Sequence, residues 1–162
     1  MMEGGTEASD LAFRARALAQ AHPLSAAAHR IVNRTVAEQS RAQPIEEAGV
    51  WAGAALTQGY CLRCVQSTAA PEGPGIGRLR DVDDAVLDEE AVVLAGELRT
   101  GAGDHLTVAA LDLLVGSQVE HRLEQWRDEL DAATWAELEQ YLTWWVVKGY
   151  GLRMAEEPAP AP

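Results

Sequence analysis

The chain has 162 residues and a formal net charge of −12, with 13 basic against 25 acidic side chains. Its length suits one domain with a buried core, and its 48% hydrophobic and 23% charged residues are ordinary for a globular protein. Affinity for nucleic acids comes largely from lysine and arginine that neutralise phosphates, so this charge argues against DNA or RNA as a partner. We expect a basic protein partner or self-association instead.

The apolar runs and the basic residues bear on where the protein resides. Residues 1–8 are acidic and lack an apolar centre, so they do not resemble a secretory signal, and we predict a flexible N-terminus there. Asp112 and Lys148 interrupt the longest apolar runs, which argues against a membrane span. All basic residues except Lys148 are arginine and alanine is abundant, a composition typical of GC-rich bacterial genomes. We therefore predict a cytoplasmic bacterial protein.

The first half of the chain has the pattern of three helices, predicted at about residues 10–21, 25–41 and 44–67. Ser25 can cap the second helix by accepting a hydrogen bond from a first-turn amide, and Pro44 suits the first turn of the third. A stretch rich in glycine and proline, from Ala70 to Gly77, then ends regular structure. We expect this loop to separate the two halves of the molecule.

The second half predicts three further helices, beginning near Asp81 or Asp88 for the fourth and ending near residues 100, 130 and 155. In the fourth helix, Val86 and Val93 are expected to face the core with Leu94 and Leu98. Residues 156–162 form a proline-rich tail that we predict to be disordered. The fifth helix has the strongest apolar period, carried by Val108, Leu111, Val115, Val119, Leu123, Trp126 and Leu130.

A short motif, Gly-Tyr-x-Leu-Arg, occurs at residues 59–63 and again at residues 149–153, late in the third and sixth helices. His29 and His121 begin a matching His-Arg-apolar step on the preceding arm of each half. The repeat predicts an all-α, single-domain antiparallel bundle of five to six helices over residues 9–155. Two helical hairpins would be related by a pseudo-twofold axis, with the first and fourth helices as additions. The alternative is coincidence, because similar hairpins recur among helical bundles.

The tyrosine and arginine of each motif are the first candidates for a ligand site. Tyr60 with Arg63, and Tyr150 with Arg153, are three residues apart and so share a helix face. Two such pairs could line one cavity that binds an anion or a carboxylate. The alternative is that each arginine pairs with a glutamate and locks a helix crossing that glycine permits. The glutamates considered for that role are Glu97, Glu120 and Glu124.

Cys61 and Cys64 form a Cys-x-x-Cys motif. Catalytic dithiols usually lie where a helix begins, because its free amides stabilise the thiolate. This pair lies toward the end of a helix, so we predict a weak nucleophile and two buried, hydrophobe-like cysteines. Thiol redox chemistry is kept as a third candidate function.

Two further residue pairs are candidates for contact with other molecules. His29 and His121 could meet across the bundle to hold a ligand, or lie exposed beside their arginines. Trp144 and Trp145 are adjacent, so only one can face the core and the other is a candidate interface residue. No histidine has ligand-like spacing to another, and the dinuclear Glu-x-x-His pattern is missing, so we expect no metal and no cofactor.

These observations favour a non-enzymatic, acidic bundle that acts through protein contacts, as a regulator or scaffold or as a homodimer. The alternative function is a bundle that binds a small molecule or cofactor in the cavity between Tyr60, Arg63, Tyr150 and Arg153. No serine nucleophile elbow, phosphate loop or dinucleotide fingerprint is present in the sequence.

Overall fold

The computed structural model describes residues 2–21, 24–45, 47–66, 82–102 and 104–157. Within these ranges the regular structure is entirely helical, which confirms the predicted all-α bundle. The predicted loop at Ala70–Gly77 and the tail after Glu157 lie outside the described residues. The helices are α1 (Met2–Ala19), α2 (Ala26–Ala42), α3 (Ala48–Gln66), α4 (Asp84–Glu97), α5 (His105–Leu123) and α6 (Ala132–Glu156).

Three of the helices begin at side-chain caps. Ser25, Asp104 and Asp131 precede α2, α5 and α6, and each accepts a hydrogen bond from the amide three residues later, at 3.0, 2.7 and 2.7 Å. Such caps satisfy an amide that has no partner inside the helix. The predicted start of the second helix at Ser25 is therefore confirmed.

The first helix begins earlier than predicted. It starts at Met2 instead of near Asp10, so residues 2–8, which the sequence analysis assigned to a flexible N-terminus, belong to α1. Ala8 is only 1% exposed and packs in the core. Its burial extends the helix across Ser9 and Asp10, because tertiary packing outweighs the capping preference of these two residues.

Two other helix ends differ from the prediction. The third helix begins at Ala48, and Pro44 lies in the bend before it, where the amide of Ala48 donates to the carbonyl of Ile45 at 3.0 Å. The fifth ends at Leu123 and is followed by a short 3₁₀ turn (Glu124–Trp126). Along α5 the predicted apolar stripe is buried from Leu111 to Leu123, whereas Val108 is 37% exposed.

The fourth helix departs from the prediction at two valines, whereas Leu94 and Leu98 are partly buried against the core as predicted. Val86 is 38% exposed and Val93 is 61% exposed, whereas Ala91 and Ala95 are fully buried. The prediction that these valines face the core is therefore wrong. The reason is the close approach of α6: a Cβ built on Gly151 would lie 2.8 Å from the carbonyl oxygen of Ala91. Only small side chains fit between helices at that distance.

The helix contacts of the two halves correspond to each other. α3 and α6 cross at the centre in the most extensive helix contact of the described structure. α1 packs on α3 and α5, and α4 packs on α6 and α2. α1 and α4 therefore occupy equivalent places in the two halves, each added to one of the α2–α3 and α5–α6 hairpins that the sequence predicts.

The longest helix, α6, has 25 residues. It buries the charged side chains of Lys148, Arg153 and Glu156. None of the described helices is both long enough and apolar enough to cross a membrane.

Candidate functional site

The two Gly-Tyr-x-Leu-Arg motifs meet where α3 crosses α6. A Cβ built on Gly59 would overlap the carbonyl oxygen of Val146, and one on Gly149 would overlap the carbonyl oxygen of Leu56. The two helix backbones are therefore in direct contact at this point. Glycine is required in both motifs for that close approach.

Each tyrosine pairs with the arginine of the other motif. The guanidinium carbon of Arg153 lies 5.6 Å from the ring centre of Tyr60, and its Nη1 is 3.3 Å from the tyrosine hydroxyl. Arg63 lies in the same way over Tyr150, at 5.7 Å and 3.3 Å. Such contacts combine a cation–π interaction with a hydrogen bond. The sequence predicted that the tyrosine and arginine of one motif share a helix face. In the structure, each tyrosine contacts the arginine of the other helix.

A carboxyl group and an amide occupy equivalent positions beside the two tyrosines. Tyr60 donates a 2.5 Å hydrogen bond to Glu156, and Ser25 donates another of 2.5 Å to the second oxygen of the same carboxyl group. Tyr150 donates a 2.5 Å hydrogen bond to Gln66. Glu156 is 1% exposed, so one half of the crossing contains a buried acidic group where the other contains a neutral amide.

The electrostatics of the crossing follow from burial and from the neighbouring carboxylates. Burial raises the pKa of Tyr60, and Glu156 raises it further. Arg63 contacts Glu157 through Nε at 2.9 Å and Nη2 at 2.6 Å, and these hydrogen bonds raise the pKa of its guanidinium. Arg153 is 5% exposed, with Nη1 3.9 Å from Glu156. Paired carboxylates and hydroxyls thus hold both arginines in place.

These contacts are typical of side chains that hold two helices together, and less typical of a ligand-binding cavity. The hydroxyls of Tyr60 and Tyr150 and the side chain of Arg63 are bonded within the cluster. The Nε of Arg153 is buried without a hydrogen-bond partner in the described part of the chain, and a carboxylate oxygen of Glu157 lies 4.0 Å from it. The carboxylates at the crossing are Glu156 and Glu157, and not the three glutamates that the sequence analysis considered.

Both cysteines of the Cys-x-x-Cys motif are buried. Cys61 is 0% exposed and Cys64 is 1% exposed, and both lie in α3. Burial raises the pKa of the Cys61 thiol, and Cys64 raises it further. Because the thiolate is the reactive form, the arrangement disfavours nucleophilic chemistry.

The two histidines lie on the surface. His29 in α2 and His121 in α5 are both exposed. In the ranges that the structure describes, no group of three histidine, cysteine, aspartate or glutamate side chains could hold a metal ion.

The adjacent tryptophans differ in burial. Trp145 is 8% exposed and packs edge-on against Tyr141, with 6.1 Å between ring centres. Trp144 is partly buried, and Arg99 lies 5.9 Å from its ring centre. Of the two candidate interface residues, Trp144 has the greater surface available to another molecule.

One exposed surface was not predicted from the sequence, and we name it the α4 outer face. Its residues recur at helical spacing, so they lie on one side of α4. The sequence does contain one sign of this surface, because acidic residues lie next to the valines. Apolar periodicity alone had led to the prediction that the valines face the core. The α4 outer face consists of Val86, Glu89, Glu90, Val93, Gly96 and Glu97.

Comparison with known proteins adds no functional information, because no family model, curated protein or solved structure matches the chain.

Proposed function

We propose that this protein is a non-enzymatic regulator or scaffold that binds a basic protein through the α4 outer face. The observation that carries the proposal is that α4 buries Ala91 and Ala95 while it exposes Val86 and Val93. Burying a valine side chain contributes about 1.5–3 kcal/mol, so folding of the chain alone leaves this gain unused on α4. A partner that covers the two valines would recover it.

The charge around the valines indicates the chemistry of the partner. Glu89 and Glu97 are exposed on the α4 outer face, on a chain with a net charge of −12. A segment with apolar side chains flanked by lysine or arginine complements both features. Two copies of the α4 outer face would bring like charges together, so the charge favours a different, basic protein over a homodimer built on this face.

Gly96 supports a close approach of the partner. A Cβ built on Gly96 would have no atom within 4 Å, so nothing packed inside the chain requires glycine there. Glycine within a helix is less stable than alanine by about 0.5–1 kcal/mol. Its presence beside Val93 would let the backbone of a partner come near α4.

Site-specific photo-cross-linking in the cells that naturally produce the protein tests the proposal. A photoreactive amino acid would replace Val93 in one variant and Val50, which is 53% exposed on α3, in the matched control. We expect Val93 to cross-link to a basic protein that the control does not capture. Cross-links between two copies of the chain, or identical products from both positions, would contradict the proposal.

The identified partner then allows a binding measurement with purified proteins. Val93→Glu should weaken binding at least about tenfold, because it places a charge in the apolar contact, whereas Val50→Glu should leave binding unchanged. Added salt should also weaken binding, since exposed charges are screened. Equal affinities for the two variants would exclude the α4 outer face as the contact.

The two other candidate functions have less support. The tyrosines and arginines of the two motifs bond to one another, which favours a role in holding α3 and α6 together over a ligand cavity. The burial of both thiols disfavours redox chemistry. We retain the bacterial cytoplasm as the proposed setting. It suits two cysteines that lie in one helix, where they connect no separate segments.

A further inference from the structure

A small polar pocket lies between α2, α4 and α6, apart from the Tyr–Arg crossing. Its volume is about 110 Å³, and charged and polar side chains form most of its lining. Two ion pairs contribute to that lining: Arg34 with Glu38 at 3.6 Å, and Lys148 with Asp88 at 2.7 Å. Two positive and two negative groups therefore surround a space that is open to a small molecule.

Lys148 is the one lysine of the chain, and it is 7% exposed. Its ammonium nitrogen contacts Asp88 and lies 5.2 Å from the ring centre of Trp145. The Asp88 side chain is 31% exposed, and a partly buried ion pair contributes little to stability, so stability alone gives little reason for this arrangement. An ammonium group has three N–H donors, and the contact with Asp88 uses one of them.

Thr35 provides an independent observation at the same pocket. The residue as a whole is 7% exposed and lines the pocket, and its hydroxyl makes no hydrogen bond to another residue in the described ranges. The hydroxyl oxygen is not one of the fully buried polar atoms that lack a partner, so it is open to the inside of the pocket, where a hydroxyl can bond water or a ligand. The hydroxyl is therefore placed to bond a molecule inside the pocket.

We propose that this pocket binds a small zwitterion of the size of a free amino acid such as glycine. Its carboxylate would contact Lys148 and Arg34, and its ammonium group would contact Asp88 and Glu38. A simple anion would face a protein of net charge −12, and a simple cation would compete with the two basic side chains. The volume corresponds to about three to four water molecules at ~30 Å³ each, which limits the ligand to about five heavy atoms.

Titration of the full chain with glycine, followed by NMR at the indole N–H of Trp145, tests the inference. Acetate and methylammonium serve as single-charge probes at the same concentrations. We expect saturable shifts with glycine and a Kd on the order of 1 mM, an affinity that so small a ligand can reach. No saturation with glycine, or equally tight binding of acetate alone, would overturn the inference.

Two matched threonine variants distinguish a bond made inside the pocket from a general effect of removing a hydroxyl group from the protein. Thr35→Val should raise the Kd for glycine about fivefold, as expected for the loss of one hydrogen bond. Thr143→Val makes the same change on α6, where the hydroxyl donates to the carbonyl of Glu139 at 2.8 Å, and should leave the Kd unchanged. Equal Kd values for the two variants would show that the hydroxyl of Thr35 takes no part. The Val93→Glu variant should bind glycine with the same Kd as the unmodified chain. A failure of the proposed function would therefore leave the glycine measurement unaffected.

Discussion

Gly59 of α3 and Gly149 of α6 make reciprocal contacts: each lies against the carbonyl oxygen of the residue three positions before the other. The partners are Val146 and Leu56. Because these contacts join backbone to backbone, the two helices cannot move apart or slide without losing both. The equivalence of the two halves thus extends from the motif in the sequence to the packing at the centre of the bundle.

Replacing Gly59 with alanine should destabilise the protein by about 2–3 kcal/mol, because the new methyl group would push against a backbone carbonyl that cannot rotate away. Gly116 in α5 provides the matched control, since a Cβ there would have no atom within 4 Å. Gly116→Ala should raise the free energy of unfolding by about 0.5–1 kcal/mol. Urea unfolding followed by circular dichroism measures both. A Gly59→Ala variant as stable as Gly116→Ala would contradict the backbone contact.

Tyr60→Phe should destabilise the protein more than Tyr150→Phe. Tyr60 donates to the buried carboxyl group of Glu156, whereas Tyr150 donates to the neutral amide of Gln66. Hydrogen bonds to charged groups contribute about 1.5–3 kcal/mol and neutral ones about 0.5–1.5 kcal/mol. The free energies of unfolding of the two variants provide the comparison.

The charge of Glu156 can be tested as the source of this difference. In a Glu156→Gln background, both tyrosines would donate to amides, and the costs of the two Tyr→Phe changes should converge. If Tyr60→Phe stays the more costly change in that background, the carboxyl group is not responsible.

Sequence patterns predicted which residues lie at the central helix crossing but not which side chains they would bond. The repeat of Gly-Tyr-x-Leu-Arg identified the residues at the crossing, and the capping preference of Ser25 located the start of α2. The sequence did not indicate that Glu156 would meet Tyr60, since that contact joins positions 96 residues apart. It depends on how the ends of α3 and α6 come together, which local spacing does not specify.

The orientation of α4 shows a second limit of sequence patterns. Apolar periodicity favours the burial of valine over alanine, and on that basis Val93 was assigned to the core. The close approach of Gly151 to Ala91 reverses the preference there, because the space between α4 and α6 beside Gly151 admits only small side chains. The distance between two helices is a tertiary property, so the α4 outer face could be recognised only in the structure.

Stability should fall as the pH rises from about 10 toward 12, because a tyrosine with a raised pKa stays protonated in the folded state after it ionises in the unfolded chain. Burial raises the pKa of Tyr141 to about 12, and it also raises that of Tyr60. The folded state then holds more protons than the unfolded state in this window, so the free energy of unfolding decreases with pH. Urea unfolding at a series of alkaline pH values measures the slope. Tyr141→Phe should make it shallower, and an unchanged slope would argue against a titration linked to this residue.

The thiols of Cys61 and Cys64 should react with an aromatic disulfide reagent at least about a hundred times more slowly in the folded protein than in urea. Both side chains are almost fully buried, and burial raises the pKa of Cys61, so little thiolate is accessible. Reaction should then follow the opening of α3, and destabilising variants such as Gly59→Ala should accelerate it. The single variants Cys61→Ala and Cys64→Ala assign the rate to each thiol. Rapid reaction of either thiol in the folded protein near neutral pH would contradict the burial and return thiol redox chemistry to the candidate functions.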